Sequence, residues 1–173
     1  MTGLAVPVPL RVGLVIGAAL VLQLGVVNQM GLFDVSGDLM VVVAVAAGYH
    51  AGPERGALIG FVTGLSIDLL LVTPMGLSAL VLTGVGYISG LVATNLIRES
   101  RLMVVVLATA MAPAAVGVWV LVGALFGQSH LLDAPLLSIG LVTALVALAA
   151  IWLVSPVVRW AVSDPHHRVG QSV

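Results

Sequence analysis

GALIGFVTGLSIDL, residues 56–69, places Gly56, Gly60, Gly64 and Asp68 four residues apart in an otherwise apolar run. Residues four apart on a helix lie near one face. The pattern predicts a membrane helix with a smooth glycine groove that ends in a carboxylate. Faces of the small-xxx-small kind let a second helix approach closely. Gly86 and Gly90 repeat the device further along, as do Gly13 and Gly17. Such a face serves either packing between neighbouring helices, the commoner use, or docking of a partner's membrane helix.

Asp68 is the most pointed single residue. A carboxylate within an apolar span is costly and marks function or a specific partner. A proton or cation site, a substrate contact and an interfacial ion pair all suit it. A structural role competes with these. Thr73 and Pro74, just beyond, read as the N-cap and first position of the next helix. The free N–H groups of Met75, Gly76 and Leu77 are then expected to bind the carboxylate, as helix N-termini bind anions.

The rest of the chain shows why the solvent must be lipid. Of its 173 residues, 61% are hydrophobic and 8% are charged, and the mean hydropathy is +1.24. A soluble domain carries roughly 25% charged residues, so this chain lacks the means to build a water-facing shell. A net charge of −1 supplies no basic field to hold nucleic acid. The absence of cysteine excludes disulfides and thiolate metal sites.

Charged and turn residues divide the sequence into six apolar stretches, near 11–33, 37–51, 53–72, 74–97, 102–126 and 134–158. The expected fold class is all-α: a polytopic membrane protein, one domain over residues 1–162, with a polar cytoplasmic tail at 163–173. Arg11 precedes the first span and a polar tail starts at Arg159. Leu39–Ala51 gives only about 20 Å of helix at 1.5 Å per residue, so it is a short crossing or a re-entrant segment. Pro113 falls near the middle of the fifth span as a kink site. With six crossings, Arg11, Arg55, Arg98, Arg101, Arg159 and Arg168 fall on one side, and Asp34, Asp38, His130 and Asp133 on the other. Basic loops stay cytoplasmic, which puts both termini inside.

The remaining polar residues carry weaker signals. Gln23 lies mid-span and is expected to hydrogen-bond to a neighbouring helix. Thr83, Tyr87, Gly90 and Thr94 share a face of the fourth span, suited to lining a groove or to plain packing. Tyr49 and His50 suit an interfacial position at the end of the second span. His166 and His167 have no third ligand nearby, so no metal site is expected. No nucleophile–base pair, phosphate loop or HExxH is present, and no enzyme activity and no cofactor are expected.

The same central stretch resembles the MreD family of rod shape-determining membrane proteins. That family's pattern is G-F-x-x-G-x-x-x-D-L, a short break, then L-G-x-x-A-L and a later Tyr. Here the positions are Gly60, Phe61, Gly64, Asp68, Leu69, Gly76, Leu77, Ala79, Leu80 and Tyr87, with Met75 replacing the leucine before the glycine. Gln23, Asp38 and Leu39 also fit. The resemblance implies a non-enzymatic scaffold of the cell-elongation machinery in the bacterial cytoplasmic membrane. The partner would be an MreC-like bitopic protein, connected to the MreB filament, the RodA glycosyltransferase and a class B penicillin-binding protein. It also implies a fold similar to the substrate-binding subunits of energy-coupling-factor vitamin transporters. A transporter subunit is therefore the alternative function. It would need polar and aromatic residues converging on a pocket; Trp119 and Trp152 fall inside spans and leave room for one.

Overall fold

The computed structural model describes residues 7–27, 39–70, 76–95, 101–125 and 136–163. Six helices account for nearly all of them: α1 (Val8–Leu22), α2 (Leu39–Ala51), α3 (Pro53–Asp68), α4 (Leu77–Asn95), α5 (Arg101–Leu125) and α6 (Leu136–Val162). Among the described residues there is no strand. α1 continues into a π-helical turn, Gln23–Val27. α1 together with its π-helical turn (Val8–Gly25), α4, α5 and α6 are long and apolar enough to cross a bilayer. α2 and α3 are shorter, at 13 and 16 residues.

Local chemistry sets most helix ends. Pro7 caps α1, whose early proline has no N–H to waste in a turn where donors lack partners anyway. Gly52 turns α2 directly into α3. Its φ of 87° suits a residue without Cβ, and Pro53 then opens α3 with Glu54 in the first turn, favourable to the helix dipole. Gly76, at φ 98°, performs the same reversal before α4.

α2 forms the centre. Every residue from Met40 to Tyr49 is buried, against α3, α4, α5, α6 and, less extensively, α1. α3 and α4 make the most intimate pair, α5 and α6 another, and α1 leans mainly on α6. Gly140 of α6 leaves space for the ring of Pro113 on α5, with its Cβ position 3.3 Å from that of the proline. Leucines cover much of the outside: Leu14, Leu58, Leu102, Leu121, Leu137 and Leu153 are all exposed. An apolar exterior of this extent is what lipid contact demands.

Several expected boundaries move. α1 starts at Val8, so Arg11 lies inside it rather than ahead of it. α4 starts at Leu77, because the positive φ of Gly76 prevents a helix from running on from Pro74. α6 continues to Val162, through Pro156 and past Arg159, beyond the expected end of the sixth span at 158. Residues 71–75, 96–100 and 126–135 lie outside the described residues, as do His166, His167 and most of the 163–173 tail.

Candidate functional site

The glycine pattern produces a seam of direct backbone contact. A Cβ added at Gly56 would fall on Gly48 of α2 and lie 2.7 Å from the Gly86 carbonyl oxygen. One at Gly60 would strike the Leu82 carbonyl, and one at Gly64 would sit 2.5 Å from the Ala79 Cα. From the other side, Gly86 meets the Gly56 carbonyl and Gly90 meets Pro53 and Gly52. Real side chains cannot occupy such positions. The five expected glycines thus lie together, between α3 and α4. Gly48 completes the set where α2 crosses both, a contact that sequence reasoning missed. Gly13 and Gly17 lie outside this seam: nothing lies within 4 Å of a Cβ at either, so no neighbouring helix of the chain packs against them.

Asp68 closes the far end of the seam. It is 2% exposed and accepts three backbone hydrogen bonds. Its Oδ2 receives the N–H of Gly76 at 3.0 Å and of Ala79 at 3.1 Å, and its Oδ1 that of Ser78 at 3.2 Å. These are donors that a helix start leaves without intrahelical partners. Gly76 was among the expected donors; Ser78 and Ala79 serve where Leu77 was expected, because α4 starts three residues later. Met75 lies outside the described residues.

The other motif residues divide into an inner and an outer set. Leu77 and Ala79 are buried, while Leu69 and Leu80 are exposed and Phe61 and Tyr87 are 46% and 45% exposed. Phe61 follows the seam residue Gly60 by one position, and Tyr87 follows Gly86 by one. One residue is roughly 100° of helix rotation. In an antiparallel pair the two rotations bring both side chains to the same side of the hairpin, the side away from α2.

The remaining candidates mostly serve packing. Gln23 Oε1 accepts the N–H of Leu39 at 3.0 Å, so a side chain of the π-helical turn after α1 caps α2. Tyr49 is buried rather than interfacial, and meets the His50 ring edge to face at 5.1 Å. The His50 Nε2 and Ser155 Oγ of α6 share a hydrogen bond of 2.9 Å. Thr83 and Thr94 bond to carbonyls of their own helix, Ala79 and Leu91. With Gly90 against Pro53 and Tyr87 turned outward, the Thr83–Thr94 face lines no groove. Trp152 is 61% exposed and points away from the interior. Ser89, fully buried beside Gly48, has a hydroxyl with no partner. Among the described residues no three His, Asp or Glu side chains come together to hold a metal.

A bundle with an apolar exterior, a backbone seam and a carboxylate spent on backbone N–H groups is an integral membrane protein built for helix contact. The chain belongs to the MreD family: the family model described as rod shape-determining protein MreD matches residues 8–160. No curated protein and no solved structure matches it. Membership connects the chain with the determination of rod shape.

Proposed function

We propose that this protein is a non-enzymatic membrane scaffold of the machinery that elongates rod-shaped bacterial cells by lateral peptidoglycan synthesis. The observation that carries the reading is the family match over residues 8–160. In this reading all six helices cross the cytoplasmic membrane as one domain over residues 1–162, with both termini and the tail at 163–173 inside. The partner is an MreC-like bitopic protein, and through it the MreB filament, RodA and a class B penicillin-binding protein. Likeness to the energy-coupling-factor substrate-binding subunits belongs to the same proposal and rests on the helix count.

The geometry supports a division of labour. The glycine seam and Asp68 are used up inside the molecule, so they serve the protein's own packing. Phe61, Leu69, Leu80 and Tyr87 contribute little to the core and turn outward, where a partner's membrane helix can reach them. The transporter alternative draws less support, since Tyr87 and Trp152 face outward.

The test is complementation in a rod-shaped bacterium lacking its own family member. The wild-type gene should restore rod shape, and the protein should co-purify with the MreC-like partner. A Phe61→Ala, Tyr87→Ala double variant should accumulate normally yet recover much less partner. Failure of the wild type to restore shape would overturn the reading.

A further inference from the structure

The outer walls of the bundle differ in height. On α6 the exposed apolar run extends from Leu137 to Val157, about 30 Å at 1.5 Å per residue, and exposed Arg159 follows. On α5 it extends from Leu102 to Leu125, about 35 Å. Either matches the roughly 30 Å of hydrocarbon in a bilayer, with length left for tilt on α5. α3 falls short. Glu54 and Arg55 are exposed at its start, apolar side chains from Leu58 to Leu69 face outward, and the described residues there end at exposed Leu70. Arg55 and Leu70 are only about 22 Å apart along the helix. α4 has the same limit. Gly90 packs against Pro53, and Asp68 receives the N–H groups of Gly76, Ser78 and Ala79, so the two helices run side by side from end to end. Exposed apolar side chains on α4 extend from Leu80 to Leu91, about 16 Å, before exposed Thr94 and Asn95. Tilt can only lower this wall further.

We propose that the bilayer is pinched against the α3–α4 face, where its hydrocarbon is thinner by about 8 Å than against α5 and α6. The occupant of that face in the protein alone is ordinary membrane lipid, drawn inward by a wall too short for it. A hydrophobic stretch shorter than the hydrocarbon is accommodated by thinning the bilayer. The alternative is to hold the Glu54 carboxylate at hydrocarbon depth, which is costly. Arg55 can extend its guanidinium toward the head groups on a long stem, but the shorter Glu54 has less reach. A helix that docks over Phe61 and Tyr87 displaces lipid held in this deformed state, so the pinch favours docking there. The inference rests on the crossing of α3 in the proposed topology and not on the role in elongation.

The chain has no cysteine, so single cysteines can carry a nitroxide without further change. The test places one at a time in the full-length protein, in dioleoylphosphatidylcholine vesicles: Arg55→Cys and Leu70→Cys on α3 and the turn that ends it, Leu137→Cys and Trp152→Cys on α6. The two pairs have equal separation along the chain. Depth is read from nitroxide collision with oxygen against a nickel chelate. Labels at Arg55, Leu70 and Leu137 should all read head-group depth, and the label at Trp152 should lie about 8 Å inside the hydrocarbon. Glu54→Cys serves in place of Arg55→Cys if that variant fails to accumulate. A Leu70 label as deep as the Trp152 label would overturn the proposal, because the bilayer would then be at full thickness on both faces. A membrane-impermeant maleimide separates that outcome from a failed topology. Arg55→Cys and Leu70→Cys should react from opposite sides of sealed vesicles. Reaction of both from one side would mean that α3 does not cross, and would overturn the proposal together with the six-crossing topology.

Discussion

Gly56 and Gly86 each occupy the space that the other's side chain would need. A Cβ on Gly86 falls on the Gly56 carbonyl oxygen, and one on Gly56 lies 2.7 Å from the Gly86 carbonyl oxygen. The closeness of α3 and α4 therefore depends on the absence of two side chains at one level of the bundle.

Gly86→Ala should separate the two backbones and destabilise the protein by about 3 kcal/mol, the upper range for overpacking. Gly17→Ala meets open space and should be neutral or stabilising by about 0.5 kcal/mol, since alanine is the better helix former. Thermal unfolding in detergent, read by size-exclusion fluorescence, separates the two. Equal melting temperatures would contradict the seam.

Asp68→Asn keeps one acceptor oxygen for the N–H groups of Gly76, Ser78 and Ala79, and should cost about 1–2 kcal/mol. Asp68→Leu leaves those donors unanswered and should cost about 3 kcal/mol or more. Accumulation in the membrane and unfolding temperature should follow the order wild type, Asn, Leu. If Asn abolishes rod-shape complementation while protein level stays normal, the charge itself is functional.

Gln23→Leu removes the acceptor for the Leu39 N–H and should cost about 1 kcal/mol, as loss of a helix cap does. Gln23→Glu retains an acceptor and should cost less. Hydrogen exchange at the first turn of α2 is the sensitive measurement: faster exchange is expected for Leu, and unchanged exchange would sink the assignment.

Ser89→Ala removes a buried hydroxyl that has no partner. It should be neutral or raise stability by up to about 1 kcal/mol, because an unanswered polar group costs free energy to bury. A clear loss of stability would mean that the hydroxyl has an acceptor after all.

A reporter active only in the cytoplasm should work when fused after Val173 or within residues 52–56, and stay silent within residues 127–133. Activity in that last loop would break the six-crossing topology.

What the sequence revealed follows from how local each signal is. Asp68 and its Gly76 donor were legible because eight residues of chain bring them together. The α3–α4 seam was legible because both helices carry glycine at spacing four. Gly48 has no such spacing within α2, so nothing in a valine and alanine run distinguished it. Gly13 and Gly17 show the converse: spacing identifies a smooth face but not whether anything lies against it. Arg11 and Trp160 meet only because α1 folds back onto α6, and no local pattern announces a contact over that separation. Gln23 was expected to hydrogen-bond to a neighbouring helix, and it does so at the N-terminus of α2, from the first residue of the π-helical turn.

α2 is also a matter of timing. It is enclosed chiefly by α3, α4, α5 and α6, all of which follow it in the chain. During synthesis this short helix leaves the ribosome before its enclosure exists. It is only about 20 Å long at 1.5 Å per residue, against roughly 30 Å of hydrocarbon, and α1 alone offers it little shelter. Its final placement must await the helices behind it, so a nascent chain halted before α6 would hold α2 at an incomplete station. The packing of α2 is thereby complete only once α6 has been made.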